Sequence, residues 1–193
     1  DLAGAGSTVA DGIAVPVAGT HTAPLIATHA DALVAVPDAA VESAVNLLLE
    51  IEKVVVEGAG AVGLAALAAP DATGLHDLLR GRTVGLVLSG GNIDPRLLAS
   101  VVMRGLVRSG RLTRLVVEVA DAPGSLAAVT AILGAAGANV VELAHDRLLL
   151  DVSARSAELV VVVETFDRDH LDRVLAALDA GGFPATVAGT GGH

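Results

Sequence analysis

Apolar residues along this chain fall into short unbroken runs, each followed by a stretch with the spacing of a helix. "ALVAV", residues 32–36, predicts a buried strand that Pro37 and Asp38 stop. Val41, Ala44, Val45, Leu48 and Leu49 then share one helical face, which predicts a helix to about Glu52 with Asp38 as its N-cap. "TVGLVL", residues 83–88, predicts a second strand, and Asp94-Pro95 supplies an N-cap and first-turn pair for a helix to Val107. Between these, "KVVVEGAGAVGLAALAAP" is open to two readings at residues 54–56, strand or extended loop. Its Ala/Leu run after Gly60 predicts a tightly packed helix ending before Pro70. "DATGLHDLLRGR" is a turn or a short helix, and residues 1–30, rich in Gly, Ala, Thr and Pro without a steady period, predict loops and short elements.

"RSGRLTR", residues 108–114, is polar and separates two regions with their own apolar patterns, so a linker is expected there between domains at 1–107 and 115–193. Beyond it come strand 115–119, helix 124–136 closed by Gly137, strand 139–143, strand 157–165, helix 169–180 closed by Gly181, and strand 185–187. That order, βαββαβ, is ferredoxin-like, and the chain as a whole is expected to be α/β.

Composition narrows the function classes. A hydrophobic content of 53% in 193 residues can fill a core, yet the longest apolar stretch, "GAGAVGLAALAAP", is too short and too rich in small residues to span a bilayer. No membrane partner is expected. Twelve basic against twenty-two acidic residues give a formal charge of -10, which repels a phosphate backbone, and 1% aromatic residues leave little surface for stacking bases. No nucleic-acid partner is expected. The absence of cysteine excludes disulfides, thiolate metal sites and cysteine catalysis, and permits the reducing, cytoplasmic location expected here. The chain starts Asp1-Leu2 without a signal-peptide pattern and reads as a fragment or a processed chain. None of its six histidines is paired at a zinc-motif spacing, so no metal site is expected.

Chemistry first enters at "VLSGGN", residues 87–92. Glycines after an apolar run can serve turn geometry alone. They also let backbone approach a flat ring at the end of a strand, where Ser89 can give or accept one hydrogen bond. Taken together, "TVADGIAV" (8–15), "VVVEGAGAVGLAAL" (54–67) and "VLSGGNID" (87–94), in that order, resemble the second half of the threonine dehydratases, pyridoxal-phosphate enzymes of fold type II. The resemblance implies that Ser89 hydrogen-bonds the pyridine nitrogen of pyridoxal 5'-phosphate, that Gly12, Gly58 and Gly90 line the cofactor with backbone, and that Glu57 lies beside them. A neutral hydroxyl is a weaker electron-sink partner than a carboxylate, which a β-elimination tolerates. Loss of water from L-threonine then gives an enamine that becomes 2-oxobutanoate and ammonia.

The family's lysine motif, "SFKxRG"-like, and its "GGGGL"-like phosphate loop do not occur in this sequence. The only lysine, Lys53, lies in "EIEKVVVEG", outside the catalytic role, so no catalytic residue is expected in this chain and the 193 residues alone are expected to be inactive.

From "RGLVRSGRLTRL" (104–115) into "DAPGSLAAVTAILGAAGANVVELAHDR" (121–147) and "ETFDRDHLDRVLAAL" (164–178), the chain resembles the regulatory ACT domain of single-ACT members. The residues alone leave ordinary turn chemistry open. The resemblance implies an amino-acid effector, isoleucine or valine, held at an interface between paired domains by Asp121, Pro123, Gly124, Leu126 and Asn139, with "HDR" (145–147) serving contacts between domains. The expected assembly is a homo-oligomer acting on an amino-acid substrate in isoleucine biosynthesis. The competing expectation is a stand-alone amino-acid-binding regulatory protein. A catalytic domain represented in part also implies exposed apolar surface.

Overall fold

The structure, a computed structural model, describes residues 8–69, 73–146 and 156–188. It divides into two compact units, Asp1–Gly105 and Leu106–His193. Helices occur in both, and the described residues form a four-stranded sheet, so the α/β class expected from the pattern is present. No helix among the described residues is long and apolar enough to cross a membrane.

In the first unit, a 3-10 turn (Asp11–Ile13) and α1 (Thr22–His29) precede α2 (Asp38–Leu47), α3 (Gly58–Ala68), the four-residue α4 (His76–Leu79) and α5 (Pro95–Arg108), whose last three residues are counted with the second unit. The helical face foreseen in α2 is real: Val41, Ala44, Val45 and Leu48 are all buried, together with Val56, Ala61 and Ala65 from the next segment and Val101 of α5. Asp38 does not cap α2. Pro37 occupies the capping position and Asp38 begins the helix, where its carboxylate accepts a hydrogen bond from Thr8 Oγ1 at 2.5 Å. After one π turn (Leu48–Glu52), Lys53 adopts a left-handed conformation at φ 58° and its Nζ donates to Glu50 O at 2.6 Å. Asp94 does cap α5, its Oδ1 accepting from Arg96 N at 2.9 Å and Leu97 N at 3.1 Å.

The strands predicted at 32–36 and 83–88 are absent. Both segments are without assigned secondary structure, and among the described residues every strand belongs to the second unit. An apolar run becomes a strand only with a hydrogen-bonded neighbour. Lacking one, Leu33 is 81% exposed and Val87 is 85% exposed. Residues 54–56 likewise belong to no strand.

The second unit follows its pattern closely: β1 (Leu112–Ala120), α6 (Ser125–Ala135), β2 (Asn139–Asp146), β3 (Ser156–Glu164), α7 (Arg168–Ala180) and β4 (Ala185–Val187). The sheet is antiparallel in the order β2-β3-β1-β4, as a ferredoxin-like chain requires. β1 starts at Leu112, three residues before the pattern predicts, because Leu112, Thr113 and Arg114 pair with Glu164, Val163 and Val162. Leu115, Val117 and Val119 of β1 and Ala157, Leu159, Val161 and Val163 of β3 alternate onto one buried face. Val129 and Leu133 of α6 and Leu171, Val174 and Leu178 of α7 cover it. A bulge between Val140 and Glu142 leaves Val141 out of register and 54% exposed. It lets Val140 and Leu143, three residues apart, both pack on the core. α7 is capped by Asp167, whose Oδ1 accepts from His170 N at 2.7 Å. Arg147 of the "HDR" segment and the tail at 189–193 lie outside the described residues.

Candidate functional site

Three segments of the first unit converge where the sequence placed its cofactor residues. Glu57 N donates to Gly90 O at 3.0 Å, joining the approach to α3 to the turn after residue 88. Gly90 has φ +75°, and a Cβ there would overlap the Glu57 carboxylate, so only a bare backbone lets the carboxylate lie against this turn. Gly12, in the 3-10 turn, is the third member: a Cβ built on it would stand 3.5 Å from Glu57 Oε1 and 3.2 Å from Ala59 Cβ. Gly58 presses on the Val9 carbonyl. Ser89 is exposed, and its hydroxyl makes no hydrogen bond to a described residue.

Gly12, Glu57, Gly58, Ser89 and Gly90 are therefore neighbours, although the first and last are far apart in the chain. The sequence reading missed Gly60, whose position admits no Cβ because the Ser89 carbonyl occupies that space. Its signal was present in "EGAGA", where the second glycine weakens a helix unless something packs against it. Lys53 is committed to the carbonyl of Glu50. Among the described residues no cluster of His, Asp or Glu is arranged to hold a metal ion. A cleft of about 500 Å³ lies elsewhere in this unit, lined by Ala10, Ile13, Val36, Val62 and by Thr8 and Asp38, which bond each other. None of the five converging residues lines it, and its walls are mostly apolar, so the chemistry-bearing surface is the Glu57–Gly90 turn.

In the second unit the expected effector residues do not gather in one place. Asp121, Pro123 and Gly124 form an exposed loop after β1, with Gly124 at φ +96° before α6 and Leu126 40% exposed. Asn139 pairs with Glu164, which pairs with Leu112 at the start of β1, whereas the loop follows Ala120, paired with Ser156. The two groups thus sit at opposite ends of a nine-residue strand, roughly 26 Å at the usual rise. The Asn139 Nδ2 donates to Glu164 Oε2 at 2.9 Å. At the same end of the sheet His170, 3% exposed, accepts from Phe166 N at Nδ1, 3.1 Å, and bonds Ala136 O through Nε2, 2.8 Å. It ties the start of α7 to the end of α6.

The ACT domain family matches residues 113–180, which is the sheet-and-helix unit just described. An L-threonine ammonia-lyase from Thermotoga maritima is 38% identical over 183 residues, covering 94% of this chain and 44% of that protein. Another from Geobacter sulfurreducens is 41% identical over 180 residues, 93% of this chain and 44% of that protein. An L-threo-3-hydroxyaspartate ammonia-lyase from a Pseudomonas species is 34% identical over 96 residues, 50% of this chain and 28% of that protein. The chain spans less than half the length of these relatives. It carries an ACT domain and, along nearly all its length, is similar to the C-terminal part of the L-threonine ammonia-lyases.

Proposed function

We propose that this chain contributes the ring-facing half of a pyridoxal-phosphate site, and an amino-acid-responsive ACT domain, to an enzyme that deaminates L-threonine to 2-oxobutanoate and ammonia. The observation that carries the reading is the convergence of Gly12, Glu57 and the Ser89-Gly90 turn. When bound, pyridoxal phosphate supplies an electron sink for the bond broken next to the amino group. The exposed Ser89 hydroxyl suits a hydrogen bond to the pyridine nitrogen, and glycine at 12 and 90 lets the Glu57 carboxylate lie close beside it. Glu57, held by its own N–H to Gly90 O, presents a carboxylate beside that surface. The fit extends to the ring only. With Lys53 engaged at Glu50 O, the anchoring lysine and the phosphate cradle belong to residues outside this sequence.

The test is a polypeptide of the relatives' full length carrying these 193 residues. It is expected to bind pyridoxal phosphate and release 2-oxobutanoate from L-threonine. Ser89→Ala is expected to shift the cofactor's absorption and slow turnover; an unchanged spectrum and rate would remove Ser89 from the site. For the ACT domain, the placement of Asn139 and the 121–126 loop at opposite ends of β1 supports an effector pocket built from two copies, the loop of one facing the Asn139 end of the other. Titration calorimetry with isoleucine and valine, beside the measured oligomeric state, checks this.

One observation favours a second reading, a stand-alone amino-acid-binding regulatory protein: the second unit closes its own core. Effector binding by the 193-residue chain, with no catalysis in the longer polypeptide, would select it.

A further inference from the structure

Helices α2 and α5 share an apolar core, Val41, Val45 and Leu48 with Val101, and are joined at two polar points. The Asn46 side-chain amide donates to Val101 O on α5 at 3.0 Å and to Glu42 O on its own helix at 3.1 Å. Close by, Arg104 Nη1 pairs with the Glu42 carboxylate at 3.0 Å. Gly105 completes the fit: a Cβ there would stand 2.5 Å from Asn46 Nδ2 and 2.8 Å from its Cγ, so α5 lies flush on Asn46 only because residue 105 has no side chain.

Apolar contacts between helices are forgiving of small slides, because one aliphatic side chain fills a neighbour's place at modest cost. A directional hydrogen bond in the same seam is not, and polar groups at helix interfaces are best attested as devices that fix register. The Arg104 side chain is 66% exposed, so solvent weakens its pull. Asn46, with two backbone acceptors and a matched glycine, is the stronger fixture.

Its reach follows from what α5 carries. Asp94 caps α5, and the Ser89–Gly90 turn stands only a few residues before it. Residues 82–94 have no helix or strand of their own. The turn is tied on one side by the Glu57 N to Gly90 O bond and by Gly91 close to the Val55 carbonyl, and on the other by the start of α5. A slip of α5 by one residue would carry Asp94 along by about 1.5 Å.

We propose that Asn46 is a positioning residue: it sets the register of α5 on α2 and, through Asp94, the place of the Ser89 hydroxyl and the Gly90 backbone. The inference rests on the reading that this turn faces the cofactor ring, but its test needs no cofactor. In the 193-residue chain, Asn46→Ala, Asn46→Asp and Gly105→Ala are compared by amide NMR with Leu48→Ala, a core deletion that removes no polar contact to α5. Asn46→Asp keeps the side-chain shape while turning a donor toward Val101 O into an acceptor, and Gly105→Ala sets a methyl against the Asn46 amide, so that the amide must leave Val101 O or α5 must shift. All three are expected to move the amide resonances of residues 89–92. They should also speed exchange of the Glu57 N–H, which bonds Gly90 O, about fivefold more than that of Ala65 in the core of α3.

Leu48→Ala should raise Glu57 and Ala65 exchange by the same factor. The proposal is overturned if the three variants leave residues 89–92 unmoved, or if they behave as Leu48→Ala does. Should Asn46→Ala not fold, the other two carry the test. If the resonances move as expected while Ser89→Ala leaves the cofactor spectrum of the longer polypeptide unchanged, the register role stands and the cofactor reading alone fails.

Discussion

Val161 and Val87 are the same side chain in apolar runs of the same kind, yet the first is fully buried and the second is 85% exposed. Val161 sits in β3, with β1 on one side, β2 on the other and helices over its face. Val87 sits in a segment that no strand joins among the described residues. The contrast extends to whole units. Among the described residues, the exposed large apolar side chains of the second unit are Val107, Leu126, Val141 and Phe166, and the others, from Ile13 to Met103, all lie in the first. An apolar run states a preference for burial; whether burial happens depends on what is there to cover it.

The sharpest way to break this comparison is to remove packing from the closed unit. Leu159→Ala should cost about 2–5 kcal/mol, since Leu159 is fully buried at the centre of the sheet. Urea unfolding followed by far-ultraviolet circular dichroism is the measurement, because the chain has no Trp or Tyr. A loss under about 1 kcal/mol would mean the unit is looser than its register implies. Gly60→Ala comes next: its Cβ must displace the Ser89 carbonyl, at a cost of roughly 1–3 kcal/mol for overpacking. The damage should fall on the 89–92 turn, read as moved amide resonances there, while those of the second unit stay in place.

The smallest effect on stability is expected from Val87→Lys, within about 0.5 kcal/mol, because its side chain already faces solvent. Sedimentation velocity should nonetheless record less self-association, since a charge interrupts an exposed apolar run. A loss as large as that of Leu159→Ala would erase the distinction between the units.

The second unit was legible almost element by element. The apolar runs at 115–119 and 157–165 predicted strands, Gly137 and Gly181 marked helix ends, and the βαββαβ order led to the sheet. What escaped were details that pairing decides: the early start of β1 opposite Glu164, and the bulge at Val141. In the first unit α2, α3 and α5 were legible from local spacing and caps, but α1, in a segment without a steady apolar period, was not; nor were the fates of the two predicted strands, because a strand is defined by a neighbour. The members of the candidate site were legible through resemblance, and Gly60, Asn46 and Gly105 were not. Their importance lies in the contacts of Gly60 with residue 89, Asn46 with residue 101 and Gly105 with residue 46, which no local pattern displays.

By itself, then, the sequence determined most of the helices, the apolar face of α2, the ferredoxin-like order of the second unit, and the residue types of the Ser89-Gly90 turn. These depend on spacing within a few turns of chain, where geometry is set by the backbone. Only the tertiary structure decided that Gly12, Glu57 and Gly90 meet, that Asn139 and the 121–126 loop are held apart, and that α5 is locked on α2 through Asn46. Each of those facts is a distance between residues remote in sequence, and such distances exist only once the chain has packed.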